Sequence, residues 1–336
     1  MRTGATARAP ALPPPWHVAG ALAVIYVVWG STYLAIRVMV ETIPPLLGAG
    51  VRFAVAGATM YAWLAWRRPG LRVTRRQLGA AALVGVLLVV GGNGLVTVAE
   101  RDVPSGLAAL LIASEPLWVI LLRRVAGDRL SRGSLLALIV GFAGVSLLLA
   151  PGQRPEGVGI AGLVLCLIAA ASWASGSFAS SRLSLPQDAL HSTALQMMIG
   201  GAVMTGAGFA FGEAGGFAFA DVSLESALSL AYLFVFGSLL AFTAYAWLLQ
   251  NVPISTVSTY AYVNPVIAVA LGWAILSEPV SALTIAATAV IVASVAFTVR
   301  REGVARDSVA SEAWTPPPSA GRTASAPSPS GAGPSN

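Results

Sequence analysis

The chain has 336 residues, of which 56% are hydrophobic and 10% charged, with a formal net charge of +6. Soluble globular proteins carry about 25% charged residues, so this composition belongs to the membrane class. All twenty basic residues are arginine and lie between apolar runs rather than on one basic face, which excludes a nucleic-acid-binding reading and points to membrane orientation.

Residues 1–16 are rich in Ala and Pro and read as a short disordered cytoplasmic tail. Apolar runs follow at about His17–Val40, Pro45–Trp66, Gln77–Ala99, Pro104–Arg124 and Arg132–Ala150. Five more fall at Val158–Ser181, Ala189–Phe211, Leu224–Gln250, Pro253–Ser277 and Val280–Val299. Each is long enough to cross a hydrocarbon layer of roughly 30 Å as a helix. The spacing predicts an all-α integral membrane protein with ten transmembrane helices in two units, residues 17–150 and 158–300. The first run could pass for a signal peptide, but it has a counterpart inside the chain and is read as a helix. Residues 301–336, with Pro316-Pro317-Pro318 and many Ser, Ala and Gly, read as a second disordered tail.

With the N-terminus inside, sixteen arginines fall in inside segments and only Arg37, Arg52, Arg101 and Arg154 remain for the outer half. That bias predicts cytoplasmic N- and C-termini.

The fourth run carries one carboxylate, Glu115, immediately before Pro116. Glu115 lies about 16 Å in from Pro104, near mid-depth, where an acid costs about 2.5–3.5 kcal/mol on insertion scales. Pro116 lacks an N–H, so a bend is expected beside the acid. The ninth run repeats the device, with Asn264-Pro265 in the equivalent place.

Aligned at an offset of 144, Trp29-Gly30-Ser31 meets Trp173-Ala174-Ser175 and Gly57 meets Gly201; at 149, Val103-Pro104 meets Val252-Pro253 and Pro116 meets Pro265. Five helices per half is an odd number, so the second half enters the membrane from the other side. Inverted halves are a device of alternating-access transporters, with the site at the midplane between them. The offsets set Glu115 opposite Asn264 and Arg52 opposite Gln196.

The phrases WGSTYLAIR, GVRFAVAGA, VPSGLAALLIASEPLW and VPISTVSTYAYVNPVIAVALGWAILSEPVS resemble the drug/metabolite transporter superfamily, EamA type, over roughly Gly20 to Arg301 and with both EamA repeats. The resemblance implies ten helices and a central cavity lined by helices one to four and six to nine, with the fifth and tenth outside it. It also implies transport of amino acids, other metabolites or drugs without ATP. One departure is Gly127-Asp128-Arg129-Leu130-Ser131, where members often carry Glu in place of Asp128.

Glu115 is the leading candidate for a proton or substrate-amine site. The alternative is a structural carboxylate that pairs with Arg52 or bridges helices. Arg52 reads either as a clamp for a substrate carboxylate or as an arginine snorkelling to the outer interface. Arg37 has Glu41 one turn on as an expected partner. Trp29, Tyr33 and Arg37 share one helix face, as do Thr256, Tyr260 and Asn264; Asn93 with Thr97 and Trp173 with Ser177 form shorter ones. Such faces suit a pocket for a small amphiphilic solute, and interhelical hydrogen bonding is the plainer reading of them. Trp63 and Trp66 read as interfacial anchors, and His17 and His191 as headgroup contacts.

No P-loop, Rossmann glycine pattern or HExxH motif is present, and the one cysteine, Cys166, rules out an intrachain disulfide. Neither cofactor nor metal is expected. The sequence points to an inner-membrane secondary transporter that moves a small organic solute (amino acid, related metabolite or drug) outward, with protons as candidate coupling ion. An ion-independent facilitative carrier is the alternative. An intramembrane enzyme is a more distant one, because only a lone acid lies at depth. Monomer and homodimer both fit the sequence.

Overall fold

A computed structural model describes residues 14–68, 70–128, 132–149, 158–252, 254–257 and 259–313. Residues 1–13, Pro69, Arg129-Leu130-Ser131, 150–157 with Arg154, Pro253, Ser258 and those after Ala313 lie outside the described residues. Among those described there is helix and turn but no strand.

Prolines open the first two helices, α1 (Pro15–Met39) and α2 (Pro45–Arg67), where the missing N–H costs no intrahelical bond. A capping box between Thr74 and Gln77 opens α3 (Arg75–Gly85). It continues through a π-helical segment, Val86–Gly94, into α4 (Leu95–Ala99). The next span is split into α5 (Ser105–Ile112) and α6 (Glu115–Val125), and α7 (Arg132–Leu149) closes the first half.

The second half begins with α8 (Ile160–Ser180) and α9 (Ala189–Ala210), the latter capped by Asp188, whose carboxylate accepts the His191 N–H. Then come α10 (Leu224–Tyr232), a second π segment at Leu233–Leu240, α11 (Ala241–Asn251) and the short α12 (Ile254–Val257). The chain ends with α13 (Tyr260–Leu276) and α14 (Ala282–Ala313). Among the described residues six spans are long and apolar enough to cross a membrane, and Arg132–Leu147, Tyr260–Leu276 and Ala282–Phe297 are shorter apolar helices.

Two features differ from the sequence reading. Helix α14 runs to Ala313, past the expected tail start at Arg301, because Glu302, Ala305, Arg306, Ala310 and Glu312 are good helix formers and no proline intervenes before Pro316. Pro265 is not at a break: α13 runs through it, and the interruption falls at Thr259, a turn and a half earlier. Pro116, in contrast, sits in the first turn of α6, where its absent N–H is one of the orphans of a helix start.

Helices α2 and α9 cross face to face and run antiparallel. Arg68 at the end of α2 pairs with Asp188 at the start of α9, and Glu213 beyond the end of α9 accepts the Leu46 and Leu47 N–H groups at the start of α2 (3.3 and 3.0 Å). Gly50, Gly57 and Gly201 let the two backbones touch. The start of α5 likewise meets the end of α13, through Glu278. Helix α1 packs on α13, α10 and α11, and α8 packs on α5, α6, α4 and the first π segment, so exchanging the halves leaves the pattern of neighbours unchanged. Helices α7 and α14 pack on each other at the side.

Many large apolar side chains point outward, among them Val27, Leu83, Ile139, Phe209 and Ile275. In water such a surface would be costly, whereas lipid solvates it. Trp63 and Trp66 are exposed, and the Arg67 guanidinium lies over both rings, 5.7 and 5.3 Å from their centroids.

Candidate functional site

The two π segments shape the site. A π turn shifts the backbone bonding by one residue and leaves a carbonyl to be satisfied from elsewhere. In the first segment the Ser172 hydroxyl of α8 donates to the Leu87 carbonyl (2.8 Å), and Asn93 Nδ2 donates to the Leu88 carbonyl (3.4 Å). In the second, Trp29 Nε1 of α1 donates to the Gly237 carbonyl (3.3 Å). The segments begin at Val86 and Leu233, equivalent places in the two halves. Gly92 lies against the Trp173 ring, with no room there for a side chain.

Between these elements lies a cavity of about 110 Å³ lined by Trp29, Thr32, Tyr33, Arg52, Asn93, Glu115, Pro116, Trp173, Phe242, Tyr260, Asn264 and Pro265, among others. Among the described residues none of α7 or α14 lines it. A larger space of about 660 Å³ shares Trp29, Asn93, Glu115, Trp173 and Tyr260 with it and extends to Arg123, Asp128, Arg182 and Pro186 at one end of the bundle. Glu115 therefore stands where a narrow chamber meets a wide vestibule.

Glu115 is half-buried and makes no hydrogen bond or ion pair among the described residues. The break between α5 and α6 puts it in the first turn of α6, where the helix dipole favours negative charge. The Ser114 hydroxyl closes the break by donating to the Leu111 carbonyl (2.6 Å) and accepting from Trp118 Nε1 (3.2 Å). Trp29 is the centre of an aromatic wall, 5.2 Å from Phe242, Tyr245 and Tyr260 between ring centroids.

Arg52 is 4% exposed, so it does not snorkel. Its Nε donates to Ser238 Oγ (2.9 Å), its guanidinium lies 4.3 Å from the Phe53 ring centroid, and one Nη is buried with no hydrogen-bond partner among the described residues. It shares the chamber with Glu115, but the expected pair between them is not formed. Asn264 is 7% exposed, its Oδ1 has no hydrogen-bond partner among the described residues, and it lines the same chamber.

Gln196 lies in the vestibule, donating to Ser192 Oγ (2.8 Å). Thr97 lines neither space: it is buried and its hydroxyl donates to the Asn93 carbonyl (2.7 Å), the local bond a threonine makes when no other acceptor is near. Arg37 does not pair with Glu41; it reaches the carbonyls of Glu100 and Arg101. His191, in the first turn of α9, is buried against Tyr61, 5.6 Å between rings.

Sequence reasoning missed Ser238, Phe242 and Tyr245. The last two lie three residues apart on one face of α11, a spacing visible in the sequence, but the run Leu233–Leu249 is too uniformly apolar to single them out.

The EamA-like transporter family model matches residues 16–150 and 160–300. The chain belongs to this family. It is similar to the Escherichia coli K12 protein named uncharacterized inner membrane transporter YedA, with 40% identity over 277 residues, 82% of this chain and 88% of that one. It is 25% identical over 294 residues (82% and 94%) to a Salmonella typhimurium protein named probable amino-acid metabolite efflux pump. A solved structure titled only "Crystal structure of protein" matches with a TM-score of 0.58 at 18% identity, over 86% of this chain and 99% of that one, a likeness of fold. As an EamA-like protein the chain is a membrane transporter of the drug/metabolite type.

Proposed function

We propose that this EamA-like protein moves a small organic solute of amino-acid type outward across the cytoplasmic membrane by alternating access, with the chamber around Glu115 as its site. The observation that carries the reading is a single acid shared by a narrow chamber and a wide vestibule, with a buried arginine in the chamber lining.

A zwitterionic solute fits this pair of charges. The free guanidinium nitrogen of Arg52 would take its carboxylate, Glu115 its ammonium group, and the Trp29, Tyr260 and Phe242 rings its side chain. Glu115 is not locked into an ion pair, so it is free to exchange a proton for the solute, and coupling to protons follows. The antiparallel runs of α2 with α9 and of α5 with α13 support two inverted five-helix halves, since these are repeat partners. Arg52 in the chamber and Gln196 in the vestibule, equivalent by repeat but on opposite sides of the centre, support the same reading. The vestibule opens at the end that carries Arg123 and Arg182, the cytoplasmic end if the arginine bias sets orientation.

Purified protein in proteoliposomes, given labelled amino acids with and without an imposed pH gradient, tests this. Accumulation that follows the gradient is expected. Transport that ignores the gradient would leave a facilitative carrier.

A further inference from the structure

The end of the bundle away from the vestibule is closed by two contacts. Glu278, in the turn after α13, accepts the backbone N–H groups of Ser105 (2.7 Å) and Gly106 (3.0 Å) at the start of α5. Arg37, in the last turn of α1, donates to the carbonyl oxygens of Glu100 and Arg101.

Behind this closure lies the Glu100 side chain. It is 0% exposed, and neither carboxylate oxygen has a hydrogen-bond partner among the described residues. The groups that face it are Arg37 and Tyr33 from α1, Cys166 from α8 and Glu278 from the turn after α13. Burying an ionised carboxylate with no donor costs several kcal/mol, so the closed form holds this group as the neutral acid. Glu100 is the first residue beyond the Arg75–Ala99 span. Burial, and after it the like charge of Glu278, hold its carboxyl well above the usual carboxylate range, against an opposing pull from Arg37. Tyr33 lines the central chamber and lies within electrostatic reach of both Glu100 and Glu115.

We propose that Glu100 is a proton-binding site that couples closure of this end of the bundle to uptake of a proton from the solution on that side. The proposal rests on the alternating-access reading above. When the Glu278 and Arg37 contacts part, water reaches Glu100 and its proton leaves to that solution. The Arg37 guanidinium, released from two carbonyls, then pairs with the carboxylate. The closed form has the higher proton affinity, so its advantage is complete below the open-form pKa and is lost as pH rises through the closed-form pKa. Between those limits one linked proton changes the open-to-closed ratio about tenfold per pH unit. Acid on that side resets an emptied carrier toward the vestibule.

The test is electron–electron distance measurement on the full chain in liposomes, in a Cys166→Ala background. One nitroxide pair at the exposed residues Asp102 and Ser281 spans the closed end, and a second pair at Arg124 and Ser181 spans the vestibule mouth. From pH 5 to pH 9 the closed-end pair should gain a longer distance while the vestibule pair gains a shorter one. Glu100→Gln should keep the closed-end distance short throughout, and Glu100→Asp should keep the response. If the Gln variant responds to pH as the parent does, Glu100 is not the site, and alternating access stands. A single distance at both ends at every pH in the parent overturns the proposal together with the reading beneath it.

Discussion

The crossing of α2 and α9 gives the sharpest quantitative test, because both helices carry site residues, Arg52 and Gln196. A Cβ added at Gly201 would fall 2.8 Å from the Cα of Ala54 and 2.8 Å from the Gly50 carbonyl oxygen; one at Gly57 would fall 2.7 Å from the Ala194 carbonyl oxygen. These are backbone atoms of a packed partner, so no rotamer change relieves the clash and the helices must part. Overpacking of this kind costs about 1–3 kcal/mol. Gly206, on the same helix α9, has open space where its Cβ would be, so Gly206→Ala should gain about 0.5–1 kcal/mol from helix propensity alone. Thermal unfolding in detergent should therefore show Gly201→Ala and Gly57→Ala lowered by on the order of 2–8 °C and Gly206→Ala unchanged or raised. Transport by the first two should also fall, since the wedge displaces Arg52 from Ser238. If all three variants behaved alike, the close crossing would carry no energetic weight and the geometry drawn from it would be wrong.

Further outcomes are expected at the site. Glu115→Gln should abolish accumulation driven by a pH gradient while solute exchange across the membrane persists at reduced rate, measured in the same proteoliposomes. Arg52→Gln should raise the KM for a carboxylate-bearing solute by roughly 10–100-fold, the worth of a charge-assisted hydrogen bond of about 1.5–3 kcal/mol, with little effect on an amide analogue of that solute. Glu278→Ala removes the acceptor of two N–H groups at the start of α5; the closed end should label faster with a thiol reagent, at a stability cost of about 1–3 kcal/mol in melting experiments.

The helical spans were legible in the sequence because lipid forces every backbone group to bond within its own helix, and apolar length alone then marks the element. Glu115, Asn264, Trp29 and Tyr260 were legible for a related reason: a polar or aromatic face in an apolar run is conspicuous. What the sequence hid depends on the partner across the gap. Glu100 stands at the end of an apolar run, where an acid usually meets water, and only the approach of α1 and the turn after α13 buries it. Asn264 and Thr97 look alike as polar residues at helical spacing, yet one opens on the chamber and the other bonds its own helix. Pro265 carries the same residue type as Pro116 but lies inside α13, whereas Pro116 stands in the first turn of α6, a difference of register that residue type alone does not reveal.

The wide turns at Val86–Gly94 and Leu233–Leu240 hold one residue of slack each. Such slack travels along a helix a residue at a time, and every step turns the stretch it passes by about 100° while the ends remain docked. Asn93 and Ser238 ride on those stretches, so the chamber wall has a means of swivelling in place, without sliding whole helices through the lipid.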